Sequence, residues 1–430
     1  MNFKSTNRIV AARGIRKSMA LKATLAVLLP LSFAARAQQV IMPSPSYPVT
    51  PPAVQEYEAN NEMTVFIAGE NTSSSAPETQ PFQYGIFTFR PHPSYRFLYG
   101  NGILSSPTNA ESTVVNQISP GFLLDIGRHW TLDYTPAWTF YSNSRFHDSL
   151  DHSVTLTGGT SYEDWTLGLS QGFTLTSDPL VQTATQTSQQ TYTTAINASY
   201  QFNSKMSTDL GVSQNIISAD QFNSSREWST LDWLNYEFWP RLNGGIGAGF
   251  GYFNEQSGPD MAFEQLQGRV NWRATDKISF QLNAGGEDSQ FPGGAGDLLN
   301  PVFGVAIQYQ PFEVTKISIS ADRMVSSSYF TNSATENTDF TGELNQRLLG
   351  KFYLDLQGGY HTVKYVASAG TASPASGRED DFYTFSAQLS YPFTRRGSVA
   401  VFYQASSDSS TQPGYGYSSS QIGCQISYSY

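Results

Sequence analysis

One short stretch of the chain brings together side chains that could do acid–base or metal chemistry. His147, Asp148, Ser149, Asp151 and His152 supply two imidazoles, two carboxylates and a hydroxyl. A hydrolytic site would also need an activated nucleophile, an orienting group and an oxyanion stabiliser that converge from several elements. No second cluster in the sequence completes such a set. We therefore predict no catalytic residue, no metal ligand and no enzyme activity.

Acidic residues also gather in polar stretches further along the chain, at Glu287, Asp288, Asp297 and the run 379–381. Their hard oxygen ligands suit Ca²⁺, and the alternative is that they are solvated loop charges. The glycine-rich run 244–251 is not a phosphate-binding loop, because its glycines alternate with apolar residues and no helix follows. No cofactor is predicted.

The elements that would carry these residues are strands. From about residue 94 onward, apolar and polar residues alternate in segments of about ten to fourteen residues, as where Trp130, Leu132 and Tyr134 alternate with Thr131 and Asp133. Short connections alternate along the chain with longer, polar connections. This pattern predicts an all-β, transmembrane, antiparallel up-and-down β-barrel of about 18 strands. The alternatives are a soluble sandwich, whose apolar face would be mainly aliphatic, and a propeller, whose turns would not alternate in length.

Aromatic residues lie next to the short connections. Trp130 and Trp165 follow such connections, and Trp239 and Trp272 precede them. We predict that these four tryptophans form a girdle where the barrel meets the membrane interface. One segment is irregular, since the alternation slips near Trp233, and there the pattern predicts a β-bulge.

The first 93 residues differ from the rest. Residues 1–37 contain a basic leader, an apolar run over 23–35 and the small-x-small sequence Ala35-Arg36-Ala37, which predicts a signal peptide. Residues 38–93 are rich in proline, which opposes both helices and ladders, so they are predicted to be a periplasmic tail or linker. The barrel is predicted over 94–430.

Charge excludes one class of partner. The predicted signal peptide holds seven of the 25 basic residues and none of the 35 acidic ones, which leaves 18 basic residues and a net charge of −17. Nucleic-acid binding requires a clustered basic surface, so no nucleic-acid partner is predicted.

The last segment has the cleanest alternation. Ile422, Ile426, Tyr428 and Tyr430 point to one face, opposite glutamine, glycine and serine. It resembles the closing strand of bacterial outer-membrane barrels, and that resemblance implies recognition by the barrel-insertion machinery and a location in the bacterial outer membrane among its lipids.

Further short motifs point to one family. They are Pro93-Ser94-Tyr95-Arg96-Phe97, Ile118-Ser119-Pro120-Gly121-Phe122, Gly127-Arg128-His129-Trp130 and Asp151-His152. In this order they resemble the β-barrel porin type 2 family. The resemblance implies an outer-membrane barrel linked to extracellular polysaccharide. This sequence departs from the family's pattern after the first strand. It has Tyr99-Gly100-Asn101-Gly102 where members of the family usually carry an Asp-Asn pair.

Parity along the strands predicts which charged residues face the interior. The candidates are Asp125, Asp133, Asp209, Glu237, Arg269, Arg273, Glu343, Arg347, Asp355 and His361. Two interpretations stay open: acidic and basic walls that set a field across a pore, or mutual pairing that solvates the interior.

The predicted function is a porin-like channel or export conduit for polar solutes. The alternative is a non-conducting structural or docking barrel whose lumen is filled by residues 38–93. The pattern predicts no particular oligomeric state.

Overall fold

The computed structural model describes residues 82–101, 111–177, 179–180, 185–220, 224–256, 260–291, 295–327, 333–367 and 377–430. The predicted signal peptide and residues 38–81 of the predicted tail lie outside these ranges. Within them, all regular elements are β-strands. A search of the same residues finds no helix of the length and apolarity that a bilayer span demands.

Twenty-one strands follow one another along the described chain. They are β1 (Phe82–Tyr84), β2 (Phe87–Asn101), β3 (Thr113–Ile126), β4 (Trp130–Tyr141), β5 (Ser149–Tyr162), β6 (Trp165–Thr176), β7 (Pro179–Leu180), β8 (Thr185–Gln186), β9 (Gln189–Asn203), β10 (Met206–Ala219), β11 (Ser225–Trp239), β12 (Leu242–Glu255), β13 (Met261–Thr275), β14 (Ile278–Phe291), β15 (Ala295–Phe312), β16 (Thr315–Ser327), β17 (Ser333–Leu348), β18 (Phe352–Ala367), β19 (Glu379–Pro392), β20 (Gly397–Ser410) and β21 (Tyr417–Tyr428).

The long strands form one closed antiparallel sheet. Each pairs with its neighbours in chain order, β6 pairs directly with β9, and β2 pairs with β21 to close the ring. The short β7 and β8 pair only with each other, and β1 is a three-residue strand on the first part of β2. Without these three, 18 strands make the barrel, so the predicted architecture and strand number are confirmed.

The short connections lie together at one end of the barrel. Glu163–Asp164 and Pro240–Arg241 are typical, each joining two long strands through a two-residue turn. Because successive strands run in opposite directions, alternate connections fall at the same end. In the three-residue connection from β17 to β18, both Leu349 and Gly350 have positive φ, 49° and 71°. This is the backbone that the tight primed hairpin turns require.

Strand β2 begins earlier than the sequence pattern predicted. Residues 87–93, assigned to the linker because of Pro91 and Pro93, pair with β3. The pairing of β2 with β21 begins only at Ser94. The carbonyl of Pro91 points to the β21 side, where it accepts a bond from the Tyr430 amide at 3.1 Å. The nitrogens of Pro91 and Pro93 also point to the β21 side, where the pairing with β21 has not yet begun. The N–H groups that proline lacks would therefore have made no hydrogen bond within the sheet.

The predicted bulge at Trp233 is absent from the register. Pairing of β11 with β12 runs unbroken from Ser225 to Glu237 and shifts only between Glu237 and Trp239, beside the short turn. Trp233 faces the same side as its partner Gly247 and is fully buried. The alternation in the sequence slips here because one tryptophan lies on the polar face of its strand.

Candidate functional site: the polar interior of the barrel

The register divides the sheet into two faces of opposite chemistry. One face, called the outer face here, carries exposed apolar residues such as Ile246, Phe250, Leu266 and Val401. The other, called the inner face, carries mainly hydroxyl, amide, glycine and charged residues. Because residues paired across strands share a face, the assignment passes from strand to strand around the closed ring and returns consistently at β2 and β21. An apolar outer face and a polar inner face are the pattern of a membrane-spanning barrel.

The ten residues predicted to face the interior lie on the inner face by this register. Asp125, Asp133, Asp209, Arg269 and His361 lie within the strands, where each contacts a side chain from another strand. Glu237, Arg273 and Arg347 lie near the short turns, and the Arg347 guanidinium donates to the Gly350 carbonyl at 2.8 Å and 3.0 Å. The other two share one side of β17 and β18: Glu343 and Asp355.

The best-connected group on the inner face is centred on Arg269. Its guanidinium donates to Asp209 and, at 2.6 Å and 3.0 Å, to the side-chain oxygen of Asn235. Asn235 in turn donates to Asp209 at 2.9 Å. The guanidinium carbon lies 4.4 Å from the centre of the Trp233 ring. Three strands, β10, β11 and β13, therefore contribute side chains to one charge-assisted cluster that crosses β12.

Glycines of β12 make room for this cluster. A Cβ at Gly247 would stand 2.7 Å from the Trp233 ring, and one at Gly245 would stand 2.6 Å from the Asn235 side-chain oxygen. These distances are too short for a side chain. Because Gly245 and Gly247 have none, the Trp233 and Arg269 side chains can lie directly over the backbone of β12.

A second group lies on the other side of the ring. His361 on β18 contacts Asp339 on β17 through Nδ1, and the centre of its ring lies 5.5 Å from that of Phe382 on β19, with the two rings tilted by 40°. The pairing register carries this row on to Asp408 and Tyr417. The row joins two carboxylates, Asp339 and Asp408, and the His361 imidazole to aromatic rings on the inner face.

Arg378, just before β19, was missed as a site residue. It forms a bidentate pair with Asp380 at 2.6 Å and 2.8 Å and lies over the Tyr415 ring at 3.7 Å and the Tyr365 ring at 4.8 Å. Both members of the ion pair are almost fully buried. The charged run here reads as a solvated loop in the sequence, and no local signal shows that two tyrosines will enclose the guanidinium.

The short-turn end of the inner face carries smaller pairs. Arg90 pairs with Asp125 at 2.7 Å, and His92 lies 3.3 Å from Asp133. Both pairs join residues on neighbouring or next-neighbouring strands. Inner-face cations thus meet acids beside them on the same wall, which fits the interpretation of mutual pairing more closely than that of opposed walls.

Acidic residues nevertheless outnumber basic ones. In the described strands the inner face carries 14 acidic and six basic residues. The basic ones are Arg90, Arg96, Arg269, Arg273, Lys316 and Arg347. The acidic ones are Asp125, Asp133, Asp151, Asp209, Glu227, Glu237, Glu255, Glu287, Asp322, Asp339, Glu343, Asp355, Asp380 and Asp408. Pairing removes part of this charge and leaves a negative excess.

The side chains of the stretch from His147 to His152 do not converge on one point. His152 lies on the outer face, stacked on Tyr134, whose hydroxyl is 3.0 Å from its Nδ1. His147 is held through its backbone by Gln186. Asp148 and Asp151 accept backbone amides of Tyr141 and Ser177 at 2.9 Å. The acids thus serve to hold the loop, and no group of three or more potential metal ligands assembles among the described residues.

The four predicted interface tryptophans lie on the outer face at the short-turn end. Trp130 and Trp165 begin β4 and β6, and Trp239 ends β11. Trp272 stacks on Phe280 across β13 and β14 at 5.4 Å. Ile422, Ile426 and Tyr428 are also exposed on the outer face, while Tyr430 contacts Phe82 at 5.7 Å and lies under the Arg396 guanidinium at 3.5 Å.

Comparison with known proteins gives solved structures only. No family model matches the chain, and no curated protein matches its sequence. The resemblance to the β-barrel porin type 2 family therefore stays a prediction.

Pseudomonas aeruginosa OccK11 (OpdR) matches with a TM-score of 0.43 at 12% identity, over 80% of this chain and 96% of that one. Acinetobacter baumannii OccAB4 matches with a TM-score of 0.43 at 10% identity, over 80% and 98%. The siderophore receptor PirA of Acinetobacter baumannii matches with a TM-score of 0.41 at 8% identity, over 79% and 80%. By its own strand order and register, the chain is a closed antiparallel barrel of 18 strands with a polar inner face and an apolar outer face.

Proposed function

We propose that this chain is an outer-membrane channel through which polar solutes diffuse, with a preference for cations over anions. The observation that carries the proposal is the inner face, where 14 acidic residues stand against six basic ones. Rings of acidic side chains raise the local concentration of cations and lower that of anions in a pore.

The size of the ring supports conduction. Eighteen strands spaced about 4.8 Å apart and tilted by about 40° lie on a cylinder roughly 35 Å across. Side chains of that wall reach only part of the way to the axis. Barrels of this strand number leave an aqueous passage unless another segment fills it.

The solute class is the finer part of the proposal. The resemblance to the β-barrel porin type 2 family suggests a role in moving or accommodating extracellular polysaccharide. Inner-face chemistry supports a carbohydrate solute, because hydroxyl and amide side chains dominate it, as at Gln421, Gln425 and Ser419 on β21. On this proposal the partners are outer-membrane lipids, the barrel-insertion machinery and the polysaccharide itself.

A non-conducting docking barrel is the second candidate. It is favoured by the nearly complete burial of several inner-face residues, including Ser289 and Thr335. Such burial is what a segment lying inside the barrel would produce. The predicted tail is the available segment, shortened to residues 38–81 because β1 begins at Phe82.

Planar-bilayer recordings separate the two candidates. We expect steady single-channel conductance from residues 38–430 and from residues 82–430, with a reversal potential in a KCl gradient that shows cation preference. Silence from both chains would refute the channel and favour docking. Conductance only from 82–430 would show a channel that its own tail closes. An anion preference would refute the charge argument while leaving the pore intact.

A further inference from the structure

The charges of the inner face are not spread evenly along the barrel axis. Five of its six bases and six of its 14 acids lie within six positions of the short-turn end of their strand. These acids are Asp125, Asp133, Asp209, Glu237, Glu343 and Asp355. The other eight acids of the described strands lie nearer the long connections, together with one base, Arg96. The short-turn half of the lumen is therefore almost neutral, whereas the long-loop half is strongly acidic.

The connections at the two ends differ in the same direction. Between the strand bounds, the short connections carry seven lysines and arginines and four acids. The long connections carry two arginines and five acids. Both of these arginines pair with an acid at 2.6 Å, Arg145 with Glu111 and Arg378 with Asp380. The molecule is thus negative at its long-loop end and positive at its short-turn end.

The eight acids of the long-loop half lie on eight different strands and form an interrupted ring. Three of them, Glu227 on β11, Asp322 on β16 and Asp339 on β17, are partly exposed. Asp322 and Asp339 are direct register partners, a placement in which two negative charges repel each other. A positively charged solute that reaches this half of the lumen would relieve the repulsion.

Unpartnered oxygens accompany the ring of acids. Asn215 on β10, Asp408 on β20 and Gln421 on β21 lie in the same half, each with 5% of its surface exposed. Each keeps a buried side-chain oxygen that accepts no hydrogen bond from the described residues. Asn215 is the register partner of Glu227, and Asp408 belongs to the ring. Because a buried acceptor without a donor is costly, these oxygens favour a ligand that brings N–H groups or positive charge.

We propose that the long-loop half of the lumen, called the acidic vestibule here, binds extended organic cations that carry several amines, as a polyamine does. The vestibule consists of the inner-face residues that lie seven or more positions from the short-turn end of their strand. A metal ion is a poorer fit, because no group of three or more potential metal ligands forms among the described residues. A flexible chain with separated amines can reach carboxylates on several strands, and neighbouring strands are about 4.8 Å apart.

The charge asymmetry also gives the direction of entry. Long loops of such barrels face the outside of the cell and short turns face the periplasm. A polyvalent cation is therefore attracted at the outer mouth and repelled by the positive short turns. This inference rests on the proposed channel, because the vestibule must be open to the solution.

Single-channel recordings with spermine as the probe test the vestibule. In 0.1 M KCl, where charges are screened over about 10 Å, we expect spermine to block the current from one side of the bilayer and not from the other. A variant with Glu227→Gln, Asp322→Asn and Asp408→Asn should raise the half-blocking concentration roughly tenfold, because three carboxylates leave the vestibule.

The matched control also removes three negative charges, but from the short-turn half. A variant with Asp133→Asn, Glu343→Gln and Asp355→Asn should change the half-blocking concentration by less than about twofold, since these acids lie beyond the screening length from the vestibule. Heat-modifiable migration on gels shows that both variants keep the folded barrel. The one-sidedness of the block is measured on the unmodified chain and does not depend on either variant.

Isothermal titration calorimetry of spermine with the folded barrel in detergent supplies a readout that needs no conduction. Equal block from both sides, equal shifts in the two variants, or neither block nor heat of binding would overturn the vestibule and leave a cation-preferring channel intact. Binding that weakens only in the vestibule variant, in a barrel that carries no current, would support the vestibule and refute the proposed channel. Displacement of spermine by an equal concentration of Mg²⁺ would assign the acids to a metal ion instead.

Discussion

The ring of Trp233 lies against Gly247, at a point where a Cβ would stand 2.7 Å from it. This contact allows a tryptophan to lie on the inner face without displacing the neighbouring strand. It also places the ring 4.4 Å from the Arg269 guanidinium, which bonds to Asp209 and Asn235. A residue with no side chain therefore determines where a charge-assisted cluster forms.

Replacing Gly247 with alanine should destabilise the barrel by about 1–3 kcal/mol, because the added methyl group overpacks the Trp233 ring. Gly268 is the matched control, since a Cβ there meets nothing closer than 4.0 Å. Equilibrium urea unfolding in lipid vesicles measures both. Equal free energies of unfolding for the two variants would contradict the packing role assigned to Gly247.

Replacing Arg269 with methionine should cost about 3–5 kcal/mol, because it leaves the Asp209 carboxylate buried without its cation. Arg241, paired with Asp276 at 2.8 Å with both side chains exposed, provides the comparison, and Arg241→Met should cost about 0–1 kcal/mol. The same urea titration measures the difference. The idea of a buried pair fails if the two substitutions have similar effects.

Neutralising acids on the inner face should lower cation preference. A variant with Asp133→Asn, Glu343→Gln and Asp355→Asn should shift the reversal potential in a KCl gradient towards zero, because less negative charge lines the pore. Asp381→Asn is the control, since Asp381 lies on the outer face and bonds to Tyr360 at 2.8 Å. A shift of equal size in the control would show that the lumen charges do not govern selectivity.

Ile426→Asp should reduce the amount of folded barrel in the outer membrane, because it puts a carboxylate on the lipid-facing side of β21. A charge there costs up to about 2–4 kcal/mol. Gln425→Glu places a carboxylate one residue away on the inner face, where it pairs with Arg96 in the register, and should assemble normally. Heat-modifiable migration of outer-membrane fractions measures assembly. Normal assembly of both variants would count against a lipid-facing insertion signal in β21.

Leu349→Asn should stabilise the barrel by about 1 kcal/mol, because a non-glycine side chain at φ 49° is strained and asparagine tolerates this region. Leu349 is 90% exposed, so the substitution removes little packing. Leu348→Asn, at the end of β17, serves as the control and should not stabilise. A lower urea midpoint for Leu349→Asn would show that the turn does not hold the strain inferred here.

Alternation along the chain was enough to predict the strands, their number, the short turns and the face on which most residues of a strand lie. These features are local: side chains alternate with period two, and turns need particular residues at particular positions. The same logic assigned Asp125, Asp209 and His361 to one face before any partner was known.

Which of those residues contact one another depends on how the strands pair in the folded barrel. Arg269 and Asp209 are sixty positions apart, and their contact depends on the register of three successive strand pairs. Pro91 and Pro93 lie within β2 because β21 pairs only from Ser94 onward, and Trp233 lies on the inner face because Gly247 is its neighbour. Each of these outcomes depends on a residue of another strand, and alternation along one strand carries no information about its neighbour.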